Sequence, residues 1–297
     1  MWPLANKYRL GIYLTPTNLH CALVTYQQTK KIIQNTHLCF STEDSTQLKQ
    51  QVSHMQQQYA QHCRHCHGMI SCQSAHLQVM TIDKPLSSAA VKHYINHNSQ
   101  SLFNHPLCDL LFDYQPMANN NTQQQWLLVA CKKTALHAPT SLRSLQVDAM
   151  SCSQLIQNKI STKQRYVLAY CDQQAMTCYV SHHNRMLSFC RKDLLDNPQL
   201  TAQAITHLAT SDHTQDKTPQ PTTSPTTIYL TGTNSHFLTR LQNQLTQSTP
   251  LTTYNLVEQF KQPLLLQPSS PAADNSNTDI SCHLYATLAA LYGDSCR

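Results

Sequence analysis

Arg9-Leu10-Gly11-Ile12-Tyr13-Leu14-Thr15-Pro16-Thr17-Asn18 reads as a strand running into a polar turn. It opens a run of three strand-like segments, Tyr8–Leu14, Leu19–Tyr26 and Lys31–Phe40, each rich in β-branched or aromatic residues. The order returns in the second half as Arg165–Cys171, Ala175–Ser181 and Arg185–Cys190, joined by the short polar turns Asp172–Gln174 and His182–Asn184. Two halves that each begin with three successive strands before a helix predict an α/β chain. Its sheets should be mixed and covered by helices, because hairpin-linked strands pair antiparallel while helical crossovers bring in parallel ones.

The rest of each half is filled by alternating helices and strands. Leu48, Val52, Met55 and Tyr59 lie on one stripe of a Gln-rich helix that Asp44 and Ser45 can cap. Short strands follow at Met69–Cys72 and Leu77–Ile82. A new segment starts at Asp83-Lys84-Pro85-Leu86-Ser87, with a helix through Val91 and Ile95 to Leu102 and strands at Asp109–Gln115 and Trp126–Lys132. A helix over Thr140–Leu145 and a short strand Val147–Met150 are expected next. In the second half, a helix over Leu200–Leu208 leads to residues 210–227, a linker dominated by Thr, Pro, Ser, Gln and Asp. Then come a strand at Thr227–Thr231, a helix carrying Phe237, Leu238, Leu241 and Leu245 on one face, and an amphipathic helix over Cys282–Leu291.

Composition excludes several function classes. The 297 residues include four Gly, at 11, 68, 232 and 293, so there is no Gly-rich loop on which a backbone could cradle phosphate. Charged residues make up 12%, Glu occurs only at 43 and 258, and no carboxylate pair or nucleophilic triad can be nominated. The net charge of +6 is spread without an aromatic-interleaved basic stripe, which argues against nucleic-acid binding. No apolar run approaches the roughly 20 residues that span a bilayer, and Lys7 and Arg9 interrupt the first apolar stretch. The expectation is a soluble protein in a reducing compartment, its 13 Cys mostly thiols.

His62-Cys63-Arg64-His65-Cys66-His67 contains Cys-x-x-Cys-His, the spacing of c-type haem attachment and a set of soft ligands suited to zinc. With so many Cys, about one such Cys-x-x-Cys is expected by chance. Cys63, Cys66 and His67 therefore stand as a weak metal candidate beside the plainer reading of a surface turn. No metal and no cofactor is expected.

The first stretch, the two strands after it, the Gln-rich helix and Asp83-Lys84-Pro85-Leu86 together resemble PilM, the actin-like, FtsA-related family of type IV pilus assembly proteins. Similar too are Ser101-Leu102-Phe103-Asn104-His105-Pro106-Leu107 followed by Leu111-Phe112-Asp113-Tyr114-Gln115, the strand Leu127-Leu128-Val129-Ala130-Cys131-Lys132-Lys133, and Val147-Asp148-Ala149, which resembles the strand closing the family's first domain. Thr227-Ile228-Tyr229-Leu230-Thr231-Gly232 looks like the adenosine-loop strand and 286–293 like the terminal helix. The resemblance implies an actin-like (ribonuclease H-like) two-lobed fold with mixed sheets and an inserted α+β subdomain. The first lobe would span residues 1–160 with the insert at about 84–146. The second would span 161–297, its helical subdomain reduced and interrupted by the linker 210–227.

The departures from the family bear on function. Where the family carries an Asp-x-Gly turn for phosphate and magnesium, this chain has Tyr13 and Thr15, with Asn18 closing the turn, and in the second half Tyr170 and Asp172. The third loop keeps Gly232 but has Thr233 after it. A phenol cannot supply the charge that magnesium draws from carboxylates, so a degenerate nucleotide site and a pseudo-ATPase are expected. The implied role is a non-catalytic cytoplasmic scaffold at the inner face of the inner membrane, in pilus or related secretion assembly. Its implied partner is the cytoplasmic tail of a PilN-like inner-membrane protein, with self-association left open. Candidate groove residues are Leu86, Val91, Ile95, Leu102, Phe103, Leu110 and Phe112, with Phe103 expected as a partly exposed anchor. The alternatives are a divergent actin-like ATPase, or metal or haem binding through the Cys63 cluster.

Overall fold

The computed structural model describes residues 7–15, 17–26, 32–41, 46, 50, 53, 66–83, 86–117, 123–133, 142–157, 164–172, 175–183, 185–193, 197–211, 226–266 and 276–292. The Gln-rich helix falls almost wholly outside them, as do Cys63 and most of the linker.

Strands β1 (Lys7–Leu14), β2 (Asn18–Tyr26) and β3 (Ile32–Ser41) form an antiparallel meander. Strands β4 (Cys66–Ile70) and β8 (Leu142–Val147) then extend it in parallel, giving the order β3-β2-β1-β4-β8. The second half repeats the plan. Strands β9 (Tyr166–Cys171), β10 (Ala175–His182) and β11 (Arg185–Asp193) are antiparallel, β12 (Thr227–Gly232) and β13 (Thr253–Asn255) add in parallel, and the order is β11-β10-β9-β12-β13. The two sheets are topological copies, and the recurrence read from the sequence is this repeat.

Between β4 and β8 the chain builds a separate antiparallel sheet of β5 (His76–Ile82), β6 (Leu110–Pro116) and β7 (Gln124–Lys132), ordered β5-β7-β6. Helix α1 (Ser88–Phe103) covers one face of it. Ser87 caps this helix by accepting from the Ala90 amide at 3.3 Å, and Asn104 ends it in the left-handed conformation. By strand pairing, the small sheet takes in β5, upstream of residue 84, while β8 belongs to the first large sheet.

Two expectations fail here. Residues 142–147 are strand, and the helix, α2, begins at Asp148 and runs to Gln157. The spacing of Leu142 and Leu145 mimics a helix, but this segment satisfies its backbone beside β4. The true helical stripe is Ala149, Cys152, Leu155 and Ile156, all buried. The terminal helix α6 (Ser276–Tyr292) is not amphipathic over its core, since every residue from Ile280 to Ala290 is buried. It lies against β1, β2 and β4 on one side and α2 on another. Gly11 permits that approach: a Cβ there would stand 1.9 Å from the Ala286 carbonyl oxygen and 2.5 Å from the Ala290 nitrogen. Arg9 donates to the carbonyls of Ala290 (3.3 Å) and Leu291 (3.1 Å), meeting acceptors that a helix end leaves unpaired.

The second lobe packs α3 (Pro198–Thr210) and α4 (Ser235–Ser248) over its sheet. Phe237, Leu238, Leu241 and Leu245 of α4 are buried as their spacing predicts. A short helix α5 (Leu256–Lys261) follows β13.

Candidate functional site

Tyr13 ends one central strand and Tyr170 the equivalent strand of the other lobe, so the repeat brings the two phenols together, their oxygens 3.5 Å apart. Tyr285 of α6 closes over both, with ring centroids 4.9 Å from Tyr13 and 5.8 Å from Tyr170. Below them sits Asp148, the first residue of α2. Tyr13 donates its hydroxyl proton to Asp148 Oδ2 at 2.9 Å. The Ala149 amide donates to Oδ1 at 2.7 Å, and the Cys72 amide donates to both oxygens at 3.2 and 3.3 Å. Thr231 at the end of β12 is hydrogen-bonded to the Tyr285 hydroxyl at 2.9 Å. All five side chains are fully buried.

The electrostatics follow from that burial. Loss of water pushes the Tyr13, Tyr170 and Tyr285 phenols well above their usual range, and the nearby Asp148 carboxyl pushes them further. Burial also raises Asp148 above the ordinary carboxyl range, opposed by donation from Cys72, Tyr170 and Tyr13. The phenols are neutral donors, and the carboxyl is surrounded by donors from the chain itself.

The turns beside this cluster are equally occupied. Thr15 Oγ1 accepts from the Asn18 amide at 2.9 Å and donates to the Asn18 carbonyl at 3.0 Å. Asp172 Oδ1 accepts from the Ala175 amide at 2.6 Å, fixing the corresponding turn of the second lobe. Gly232 has φ of +143°, and a Cβ there would lie 1.8 Å from the Cys171 carbonyl oxygen. The Thr233 and Asn234 amides donate to that same oxygen at 3.1 and 3.5 Å. The amides of Asn18, Ala175, Thr233 and Asn234 thus bond within the protein, whereas phosphate binding on a loop needs them turned to the ligand.

Tyr13, Thr15, Asn18, Tyr170, Asp172, Gly232 and Thr233 are therefore gathered at one junction between the sheets. Asp148, Tyr285 and Thr231 complete it, and sequence reasoning missed all three. Asp148 carried the one legible sign, an acidic residue followed by a buried helical stripe.

The groove candidates land differently. Val91, Ile95, Phe103 and Leu110 are buried between α1 and the small sheet, and Leu86, Leu102 and Phe112 are half-buried against the same cluster. Phe103 is only 4% exposed and meets His76 edge-on at 5.7 Å, so it is not the partly exposed anchor expected. Its position on the last turn of α1 turns it inward onto β6 and β7. Leu77, Leu127, Val129 and Cys131, on the other face of the small sheet, join the core of the first lobe.

Where that face meets the lobe there is a narrow groove of about 50 Å³, lined by Asp113, Tyr114 and Val129 on one side and Gln146, Val147, Met150, Ser151 and Gln154 on the other. Among the described residues, β6 and β8 are both sheet edges, and both border this groove. A wider cleft of about 300 Å³ opens nearby among Gln73, His76, Phe103, His105 and Lys132.

Cys66 opens β4 and His67, paired with Gly11 and Ser144, is buried in the first sheet, so this part of the cluster is strand and not a surface turn. β4 begins upstream of Met69 because it pairs with β1 from Leu10 onward. Among the described residues no group of three or more His, Cys, Asp or Glu is placed to hold a metal ion. None of the described helices is long and apolar enough to cross a membrane.

No family model matches the chain, and no curated protein matches it. Solved structures do. The chain is similar to a structure described as the PilM-PilN type IV pilus biogenesis complex, at 12% identity and a TM-score of 0.60, over 98% of this chain and 99% of that one. It is also similar to a protein of unknown function with an actin-like ATPase fold from Bacteroides thetaiotaomicron, at 13% identity and a TM-score of 0.50, over 87% and 95%. The fold is actin-like, with mixed sheets and helices.

Proposed function

We propose that the protein is a non-catalytic actin-like scaffold of type IV pilus or related secretion assembly, a degenerate relative of PilM and a pseudo-ATPase. The observation that carries this reading is the buried Tyr13–Tyr170–Tyr285–Asp148 cluster. It fills with the chain's own side chains the junction where the resemblance calls for phosphate and magnesium.

The scaffold acts by holding the cytoplasmic tail of a PilN-like inner-membrane protein, and it sits at the inner face of the inner membrane through that partner. The groove between β6 and β8 suits an extended peptide: two strands that are sheet edges among the described residues offer backbone partners, while Val129 and Met150 offer apolar contact. The similarity to the structure described as a PilM-PilN complex supports the choice of partner. The occupant is therefore expected against β8 and α2, and the residues first nominated serve as the core that holds β6 in place.

Two measurements test the reading on the whole chain. A fluorescent peptide copying the cytoplasmic tail of the PilN-like protein from the same genome should bind without nucleotide, and Met150→Glu should weaken it at least tenfold. Tyr94→Glu, on the exposed side of α1, should leave it unchanged. Magnesium and ATP should not raise the melting temperature, because a ligand that binds only the native state must do so. A nucleotide-dependent rise, or a tail that fails to bind, overturns the reading.

A further inference from the structure

Cys178 of β10 and Cys190 of β11 stand directly opposite each other in the antiparallel register. Opposed residues of antiparallel strands have Cα atoms roughly 4.5 to 5.5 Å apart, within the range of about 4.4 to 6.8 Å that a disulfide bridges. The register therefore places the two Cα atoms within disulfide reach.

The two sulfurs differ in surroundings. Cys178 is 1% exposed, in the core beneath α3 and α4. Cys190 is half-buried on β11, an edge strand of its sheet among the described residues, where solvent reaches it. The neighbouring Cys178 thiol lowers the Cys190 thiol to about 7, assisted by the Lys192 ammonium, while Cys190 and burial push Cys178 up. Of the two, Cys190 is the one with thiolate character. The other buried thiols have the opposite character: burial holds Cys131 at about 11 and takes Cys152 and Cys171 higher still. A reactive cysteine needs thiolate character together with access, and Cys190 combines them.

We propose that Cys190 and Cys178 form a redox modification site, in which a hydroperoxide oxidises Cys190 and Cys178 resolves it to a disulfide between β10 and β11. The Cys190 thiolate attacks one peroxide oxygen, the O–O bond breaks, and hydroxide leaves; the sulfur is oxidised to a sulfenic acid and the peroxide is reduced. The Cys178 sulfur then attacks the sulfenic sulfur. The S–O bond breaks as the S–S bond forms, and the Cys178 proton leaves with the oxygen as water. In sum, two thiols and one hydrogen peroxide give one disulfide and two waters. A thiol reductant reverses it by exchange.

The site stands on the second lobe and is independent of tail binding. The test treats the reduced full-length chain with stoichiometric hydrogen peroxide, blocks remaining thiols with N-ethylmaleimide and maps tryptic peptides by mass. Trypsin cuts at Arg185, placing Cys178 and Cys190 on separate peptides. The expected product is a reducible cross-link between them that persists in Cys171→Ser and is absent from Cys190→Ser. In Cys178→Ser the Cys190 sulfenic acid should persist and be trapped by dimedone. Alkylation of Cys190 in the untreated chain should have its midpoint near pH 7, and Cys178→Ala should move it upward. The proposal is overturned if no 178–190 link forms, or if Cys178→Ala leaves the pH profile of Cys190 alkylation unchanged.

Discussion

Replacing Tyr13 by Phe removes one oxygen and keeps the ring, so the effect isolates what the Tyr13 hydroxyl does for Asp148. That hydroxyl lies 2.9 Å from Asp148 Oδ2, with both groups fully buried. Without it, Oδ2 keeps a weaker bond from the Cys72 amide at 3.3 Å and whatever Tyr170 supplies. A buried hydrogen bond contributes about 0.5 to 1.5 kcal/mol when both partners are neutral and roughly 1.5 to 3 kcal/mol when one is charged. Asp148 titrates from the first case to the second. Tyr13 helps hold the Asp148 pKa down against burial, so Tyr13→Phe raises it further. The penalty should therefore be about 1 kcal/mol at a pH that protonates Asp148 and about 2 kcal/mol at a pH that ionises it. For a chain this size each kcal/mol moves the melting temperature by roughly 2 to 4 °C. Thermal unfolding at the two pH values, repeated for Asp148→Asn and the double variant, reads the coupling directly. The double variant should recover at least about 1 kcal/mol relative to the sum of the singles, because the two groups share one bond. A change under about 0.5 kcal/mol at either pH, or additive singles, would refute the view that this contact holds α2 against β1.

Gly11→Ala should destabilise the whole chain by about 3 kcal/mol, since overpacking beyond what a side chain can absorb must move backbone. The Cβ would fall 1.9 Å from the Ala286 oxygen, so α6 has to withdraw from β1; urea unfolding measures this, and a loss below about 1 kcal/mol counts against the packing described. Gly232→Ala should cost a similar amount, because the position combines φ of +143° with a 1.8 Å approach to the Cys171 carbonyl; circular dichroism of the heated protein checks it. Asp148 also sets a pH dependence. Its folded-state pKa is raised, so its contribution to stability is full below the ordinary carboxyl value of 3.8 and declines as pH rises through the higher folded value. Asp148→Asn should remove that decline, and parallel unfolding curves for the two proteins across acid to neutral pH would contradict the assignment.

Much of this was legible because strands announce themselves locally. Tyr8–Leu14 and Arg165–Cys171 each carry enough β-branched and aromatic residues to be read as first strands, and the structure places them as the equivalent central strands β1 and β9. The positions of Tyr13 and Tyr170 at the ends of those strands were legible for the same reason. Their meeting was not. Asp148 lies 135 residues from Tyr13 in the chain, and no local pattern reports a contact between them. α2 was obscured because Leu142 and Leu145 have helical spacing, while Ser, Cys and Gln dilute the real stripe that starts at Ala149. The groove residues were misplaced for a related reason: the helical spacing of Val91 and Ile95 marks a buried face, and burial alone does not say whether a neighbouring element or a partner covers it. The second half of α6 is rich in the strong helix formers Ala and Leu, but only the tertiary arrangement shows that both sides of the helix are covered.

If the tyrosine cluster has replaced a ligand, the consequences extend to how the lobes can move. Ligand-driven closure needs a ligand with different affinities for two arrangements, and here the contacts between lobes are made by the chain itself. Ser153 at the end of α2 meets the Tyr166 hydroxyl at 2.8 Å, and Arg191 of β11 donates to the carbonyls of Cys72 at 3.0 Å and Ala75 at 3.3 Å. With Tyr13 and Tyr170, these fix one lobe against the other at separate points along the junction. A body fixed in this way presents a constant surface, which suits a scaffold: the groove beside β8 is shaped by the same α2 that carries Asp148 and Ser153. Loosening the cluster should therefore disturb the groove. Tyr13→Phe should weaken tail binding without touching any groove residue, and a variant that loses lobe coupling yet binds the tail with unchanged affinity would show that α2 holds the groove by itself.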